Sequence, residues 1–236
     1  MWRWVAAGLL AVTVAGCAPA PQAARPAPTP TDATDTRPSA EQAVRNFAEV
    51  LAAVEPVAEA ECARRTTGVN CDFAIVVDAD PRAQPNAFQS LSRAGRPQIT
   101  FTIALIADAR NVDELAFILG HEAAHHIEGH LDERAQSAAV GASIIENAAS
   151  EAGATGRQLR RARQFGAFLG SRVFSQEMEL EADAMGARIA KRAGYDPVRG
   201  AAYFTRIPDP GETFLGTHPP NAQRLQVVRR AAAGAV

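Results

Sequence analysis

The segment from Asn111 to Gly129 constrains the fold of this chain more than any other. Asn111-Val-Asp-Glu114 has the pattern of a capping box, which satisfies the free backbone N–H groups at the start of a helix. An apolar run from Ala116 to Gly120 follows, and Gly129 is a residue type that ends or loosens a helix. The pattern therefore predicts a capped helix that is largely buried.

His121-Glu-Ala-Ala-His125 lies within this predicted helix. Side chains four residues apart lie on one helix face, so the two imidazoles can bind the same Zn²⁺ ion. Glu122 is about 100° further round the helix, beside the open position of such a metal, where it can act as general base towards zinc-activated water. A helix end with solvated charges is the alternative, but the preceding apolar run favours a position near the core.

A catalytic zinc ion normally has three protein ligands and one water, so one acidic ligand is expected from elsewhere in the chain. A later predicted helix contains Glu177-Met-Glu-Leu-Glu-Ala-Asp183. Glu179 and Asp183 share a helix face, whereas Glu181 points in another direction. The residues alone leave Glu179 and Glu181 as competing candidates for the third ligand.

Three motifs in this order resemble the HtpX/CAAX-prenyl-endopeptidase family of gluzincin zinc metallopeptidases. They are HExxH at 121–125, Glu-Leu-Glu-Ala-Asp at 179–183 and Thr-His-Pro-Pro at 217–220. The resemblance extends from about Ala40 to Arg230 and is closest to the BepA- and LoiP-like periplasmic branch. It implies an α+β, mainly helical, zincin-like (minigluzincin) domain with a small β-sheet, and a metalloendopeptidase that binds one Zn²⁺ per chain.

The resemblance also assigns the ligands. The first Glu of the family's Glu-x-x-Ala-Asp motif is a zinc ligand, so Glu179 joins His121 and His125. Asp183 is expected to support the site by orienting a ligand histidine through its other ring nitrogen. His130 matches a family histidine, and we interpret it as a structural residue or as a second support of the ligands.

The third motif places His218 in the family's His-Pro position, with Arg224 after it. Either side chain is a candidate donor to the oxyanion of a tetrahedral intermediate. The resemblance further implies that His218 can occupy the open zinc position and keep the enzyme latent. A loop histidine that stabilises the turn at Pro219-Pro220 is the alternative.

Asn86-Ala87-Phe88 resembles the family segment beside the active-site cleft. Such a strand binds substrate as an added β-strand, through main-chain hydrogen bonds that ignore side-chain identity. This would suit unfolded or misassembled cell-envelope proteins as substrates. A turn followed by a core Phe explains the segment equally well.

The N-terminal residues predict export. Residues 1–16 combine Arg3, an apolar stretch and small residues before Cys17, which is the pattern of a lipoprotein signal peptide. The uncharged stretch from Trp4 to Gly16 is shorter than the about 20 residues that span a membrane. We therefore expect Cys17 to be lipidated and residues 17–38, rich in Pro and Ala, to form a disordered tether.

These expectations leave residues 39–236 as one metallopeptidase domain on the periplasmic side of the envelope. Ala18, rather than Asp, follows the lipidated Cys and favours the outer membrane, and no transmembrane segment is expected in the mature chain. Export places Cys62 and Cys71 in an oxidising compartment, so we predict a disulfide, with half a zinc site as the alternative. Lys and Arg number 24 against 26 acidic residues, and this balance argues against nucleic acid as a partner.

Hydrophobic periodicity and turn residues predict the remaining elements. They are a helix after Ser39, strands at 72–78, 87–91 and 98–106 (the last turning helical), a helical hairpin at 131–170, and helices at 173–192, 197–206 and 221–233. The hairpin breaks near 153–156 and carries too many charges to span a bilayer. It is either a packed helical pair or a flap over the cleft or a membrane-surface contact.

Two functions of different classes are compatible with these patterns. The first is a zinc metalloendopeptidase of the cell envelope. The second is a periplasmic chaperone or assembly factor for outer-membrane proteins, with a latent zinc site and with the outer-membrane assembly machinery as its partner. The presence of both the base and the ligands favours the first.

Overall fold

The computed structural model describes residues 36–172, 175–209 and 219–234. The helices in this part of the chain are α1 Ala40–Arg65, α2 Ile103–Asp108, α3 Val112–Ile127, α4 His130–Glu151, α5 Arg157–Gly170, α6 Ser175–Arg192, α7 Pro197–Ala201 and α8 Asn221–Ala232, with a 3₁₀ turn at Ala202–Thr205. The strands are β1 Ala74–Asp78, β2 Ala87–Leu91 and β3 Pro97–Thr102. This mainly helical structure with a small sheet confirms the α+β prediction. The predicted signal peptide, Cys17 and His218 lie outside the described residues.

The strands form one sheet in the order β1-β3-β2. Central β3 runs parallel to β1 and antiparallel to β2, with Ala87 opposite Phe101. The sequence predicted a first strand from Asp72, but the strand begins at Ala74, and the backbone carbonyls of Asp72 and Phe73 accept hydrogen bonds from the Arg96 side chain instead. As predicted, the chain turns directly from β3 into α2. Strand β2 therefore occupies an edge of this sheet, beside α3.

The core forms where α3 crosses α6, with α1 and α8 packed around the crossing. Two glycines allow a close approach here, since a Cβ atom on Gly120 would lie 2.7 Å from the carbonyl oxygen of Gly186. Phe47 of α1 packs edge-on against Phe101 of β3, with ring centroids 5.1 Å apart. This packing buries α3 from Asp113 to Ala124 and fixes the position of its last turns.

The disulfide between Cys62 and Cys71 ties the end of α1 to the chain before β1, with the two Cα atoms 5.7 Å apart. The loop that it closes contacts the last turn of α3, where the carbonyl oxygen of Asn70 lies 2.8 Å from His126 Nε2. His126 itself is half-buried at this contact. Its polar contact with this loop explains how a histidine is accommodated there.

The predicted hairpin is present as α4 and α5, which pack along each other. Gly129 adopts a left-handed conformation with φ of 77° and separates α3 from α4. Gly141, Gly166 and Gly170 form the contact between the two helices, where an added methyl group would overlap the facing backbone. Among the described residues, no helix is both long enough and apolar enough to cross a membrane.

Candidate metal centre

Helix α3 carries the HExxH residues into the core. The Asn111 side chain accepts a hydrogen bond from the Glu114 backbone N–H at 3.0 Å, and this confirms the predicted N-cap. Glu114 is itself fully buried and paired with Arg206. Apolar residues surround the middle of the helix, so His121 and Glu122 are both buried, at 7% and 8% exposure. The alternative of a solvated helix end is therefore wrong.

The structure brings His121, His125 and Glu179 together, with one potential ligand atom from each lying within 4.8 Å of the others. The two Nε2 atoms are 3.1 Å apart, and the Glu179 carboxylate oxygens lie 3.4 Å from His121 Nε2 and 3.5 Å from His125 Nε2. Bonds of about 2.0–2.1 Å to a tetrahedral ion require ligand atoms about 3.3–3.4 Å apart. Both the donor types and their spacing thus suit one Zn²⁺ ion.

Asp183 lies behind His121, one helical turn beyond Glu179 on α6. Its Oδ1 atom is 2.9 Å from His121 Nδ1, the ring nitrogen that faces away from Glu179. Arg224 of α8 donates to both Asp183 oxygens at 2.7 Å and lies 3.5 Å from Glu179 Oε2. A histidine ligand is normally oriented by such a carboxylate. Helix α8 therefore braces the ligand helix through a buried ion pair.

His130 lies behind His125 in the same way. The Nδ1 atoms of the two rings are 2.9 Å apart, and His130 Nε2 lies 3.2 Å from Glu181 Oε2. Glu181 is 56% exposed at its side chain, and it does not belong to the ligand cluster of His121, His125 and Glu179. Of the two competing residues, Glu179 thus lies beside His121 and His125, and Glu181 lies behind His130.

Charges within the centre are strongly coupled. Burial alone would lower the pKa of His121, but the carboxylates of Asp183 and Glu179 outweigh it and raise the pKa to about 10. Burial and the neighbouring His121 charge lower the pKa of His125 to about 3. Burial opposes ionisation of Glu179, but both histidines and Arg224 hold its pKa well below the usual range. The two carboxylates thus favour a protonated His121, and a metal ion bound to this ring would compete with that proton.

Glu122 is the buried carboxyl group beside the His121, His125 and Glu179 cluster. Burial raises its pKa to about 7, with a smaller opposing effect from the His121 charge. The backbone N–H of Gln89 in β2 donates a hydrogen bond to it. A carboxyl with a pKa near the working pH is suited to accept and return a proton. The edge strand and the candidate base are thus in direct contact.

Two cavities meet at this point. One of about 370 Å³ is lined by Glu122, Glu179 and Arg224 together with apolar side chains of α3 and the 3₁₀ turn, and another of about 300 Å³ extends past His125 and His130. Asn86 and Ala87 line both cavities, and Phe88 lines the second. Phe88 is 43% exposed, so the alternative that it is a core residue is wrong.

Sequence reasoning found the residues of the centre but missed two connections. It did not link Glu181 with His130, or Arg224 with Asp183, because each pair joins different helices far apart in the chain. The sequence expectation for Arg224 was an oxyanion donor, whereas its Nε and Nη2 atoms both bind Asp183. A buried Arg normally needs a buried acid as its partner, but which acid lies beside it is known only once the chain is folded.

Comparison with known proteins gives the family. Residues 45–232 match Peptidase family M48. The chain is 29% identical over 123 residues to the mitochondrial metalloendopeptidase OMA1 of Schizosaccharomyces pombe, which is 49% of this chain and 35% of OMA1. It is 27% identical over 130 residues to the metalloprotease LoiP of Escherichia coli, which is 52% of this chain and 51% of LoiP.

The chain is also 31% identical over 146 residues to the beta-barrel assembly-enhancing protease of Yersinia pestis, which is 55% of this chain and 29% of that protein. It spans about half or less of the length of these relatives. The M48 metalloproteases are zinc-dependent, which agrees with the donor set found here. The family match covers most of the chain and confirms the resemblance predicted from its motifs: the chain belongs to Peptidase family M48.

Proposed function

We propose that this chain is a zinc-dependent metalloendopeptidase of the gluzincin type, with Zn²⁺ held by His121, His125 and Glu179. The observation that carries the proposal is the meeting of these three donors on two crossing helices, at the spacing of a tetrahedral ion. Glu122 supports it, because a buried carboxyl beside a three-donor cluster can serve as the base in metal-assisted peptide hydrolysis.

A Zn²⁺ ion held by His121, His125 and Glu179 would polarise the scissile carbonyl and the attacking water as a Lewis acid. Glu122 takes a proton from that water and passes it to the leaving amine. Asp183 and His130 hold the rings of His121 and His125 in place. Arg224 binds Asp183 and also lines the first cavity, so it is a candidate donor to the oxyanion. His218 is the other candidate, on the sequence pattern alone.

Strand β2 is the proposed substrate-binding strand, with Asn86, Ala87 and Phe88 beside the cleft. It occupies a sheet edge and contacts Glu122 through Gln89, so an extended peptide paired with it would lie beside the base. Recognition through main-chain atoms suits unfolded or misassembled envelope proteins. We further propose that lipidated Cys17 anchors the domain at the periplasmic side of the outer membrane, as the N-terminal residues predict.

Cleavage of an unfolded protein such as casein by the zinc-loaded mature chain tests the assignment of the base. We expect Glu122→Gln to retain zinc and to lose about 10²–10⁴-fold in kcat. Glu177→Gln, which alters an exposed carboxyl on α6, is the matched control and should cleave as the wild type does. Cleavage by Glu122→Gln at the wild-type rate would refute the mechanism.

A chaperone or assembly function is the second candidate, since one relative is named a beta-barrel assembly-enhancing protease. Complementation of an envelope-assembly defect distinguishes the two functions. Rescue by Glu122→Gln as complete as rescue by the wild type would favour assembly without cleavage. Rescue by the wild type alone would favour the peptidase.

A further inference from the structure

The α4–α5 hairpin buries little of its own surface against the rest of the chain. Beyond His130, its described buried residues are Ala142, Gly166 and Gly170, and the two glycines lie where the helices contact each other. Close glycine contacts make the pair a stiff unit, because backbones that touch leave little room for sliding. The outer faces of both helices are therefore available for contacts outside the domain.

One outer face is apolar. Val140 and Ile144 of α4 are 59% and 60% exposed, and Phe165 and Phe168 of α5 are 56% and 46% exposed. Their spacings of four and three residues place each pair on one face of its helix. Val140 directly precedes the contact residue Gly141, and Phe165 directly precedes Gly166. In an antiparallel pair of right-handed helices, residues offset in this same sense lie on one side of the pair.

Arginines accompany this apolar face. Helix α5 carries four of them and no acidic residue, at positions 157, 160, 161 and 163. Arg161 shares a face with Phe165 and Phe168 by its spacing, and the Arg172 guanidinium lies over the Phe168 ring at 4.7 Å from the centroid. Helix α4 carries four acidic residues, at positions 132, 133, 146 and 151, and of these Glu146 lies 3.7 Å from Arg163.

We propose that this face, formed by Val140, Ile144, Phe165 and Phe168 with Arg161 at its edge, binds the surface of an anionic lipid bilayer. Phe side chains flanked by Arg are typical of helices that lie in a membrane interface, where the rings enter the acyl region and the guanidinium groups meet lipid phosphates. The hairpin lies on the surface rather than across it, because neither helix is apolar enough to span. The charge of α5 selects the anionic lipid surface over a neutral one.

This contact would orient the metal centre. Helix α4 begins at His130, whose ring touches the ligand His125, so the hairpin joins the centre without an intervening linker. A hairpin lying on the bilayer therefore fixes the direction in which the cleft faces. The inference rests on the exposed face and its charge, and it is independent of peptidase activity and of an acyl chain on Cys17.

Vesicle co-sedimentation tests the proposal with the mature chain carrying Cys17→Ser, which removes the acylation site. The probes are vesicles of phosphatidylcholine alone and of phosphatidylcholine with phosphatidylglycerol. We expect binding to the mixed vesicles, at least tenfold weaker binding by Phe165→Ser/Phe168→Ser, and a larger loss for Arg161→Glu on anionic than on neutral vesicles. Val44→Ser/Leu91→Ser, which alters residues that are 65% and 46% exposed elsewhere, is the matched control and should bind as the unmutated protein does.

Circular dichroism and thermal unfolding of the Phe165→Ser/Phe168→Ser variant establish that its fold is retained, since both residues are already half exposed. If the unmutated protein does not bind the vesicles that contain phosphatidylglycerol, the proposal is wrong. It is also wrong if Phe165→Ser/Phe168→Ser binds them as well as the control variant does. Light scattering without lipid supplies a separate outcome. A dimer that the Phe variant loses would show that the face binds a second copy of the chain and would also overturn the proposal.

Discussion

Two pairs of helices in this protein pack closely through glycines, but the side chains around the two contacts differ. Both α3 with α6 and α4 with α5 approach closely through glycines. The first pair lies in the core and carries the metal-ligand candidates, whereas the second exposes large apolar side chains. A glycine contact therefore sets the distance between helices, and the residues that flank it decide whether the pair becomes a site or a surface.

The residues around the contact between α3 and α6 include polar side chains that form hydrogen bonds and ion pairs with one another. Asp183 joins His121 to Arg224, and His130 joins His125 to Glu181, so each candidate ligand histidine has a carboxylate behind it, one directly and one through a second ring. Burial makes His121, Asp183 and Arg224 depend on one another for their hydrogen bonds and charge balance. The hairpin has no equivalent network among its described residues, and changes there should stay local.

Asp183→Asn should have the largest effect. The side chain is fully buried, and the neutral amide leaves the buried Arg224 guanidinium without a counter-charge there and with an acceptor for only one of its two hydrogen bonds. Breaking a buried ion pair costs about 3–5 kcal/mol in the free energy of unfolding. Urea unfolding measures it, and Asp132→Asn on the exposed surface of α4 is the control, expected within about 0.5 kcal/mol of the wild type. Equal stability of the two variants would contradict a structural role for the pair.

Alanine at each glycine contact separates the two regions directly. In Gly186→Ala the new Cβ atom would lie 2.7 Å from the His121 backbone nitrogen, so α3 and α6 must move apart. We expect a loss of about 1–3 kcal/mol in stability and weaker zinc binding. Gly141→Ala forces the same separation in the hairpin, and there zinc affinity should remain that of the wild type. Zinc titration against a chelator measures the zinc affinity of both variants. We expect them to differ because only Gly186→Ala moves the helices that carry His121, His125 and Glu179.

Glu181→Gln tests the contact behind His125. The exposed carboxylate contributes little to folding, but it fixes the His130 ring and through it the His125 ring. Loss of such an outer contact lowers metal affinity by about 10–100-fold. Glu177→Gln on the same helix should leave zinc affinity unchanged. Replacing zinc with cobalt gives a second measurement. A reoriented His125 would alter the visible spectrum of the bound cobalt even if the metal affinity did not change.

These contacts also show what the sequence could and could not predict. The N-caps at Ser39 and Asn111 and the shared face of His121 and His125 are local, so spacing alone predicted them. The hairpin was predicted for the same reason. The supports of the ligand histidines depend on how α6 and α8 cross α3, which a linear pattern does not encode. The ligand assignment of Glu179 over Glu181 needed the family resemblance, because helical spacing left both open.

Glu61 provides the smallest effect, at the side of the core where α1 meets α6. Its carboxylate is buried and contacts Arg64, Arg65 and Arg192. Burial alone would raise its pKa, but the two hydrogen-bonded arginines and the Arg192 charge outweigh it and lower the pKa to about 2. A folded pKa below the unfolded value of 4.5 means that the ionised form stabilises the fold.

The stability difference between the wild type and Glu61→Gln should therefore be constant above about pH 5 and shrink as the pH falls from 4.5 towards 2. It should be modest at neutral pH, because Arg64 and Arg192 are half exposed and solvent screens their charges. Denaturant unfolding at a series of pH values measures it, with Glu133→Gln on α4 as the control. A difference that grows on acidification would mean that the carboxyl is held neutral in the fold, and that desolvation rather than the arginines decides its state.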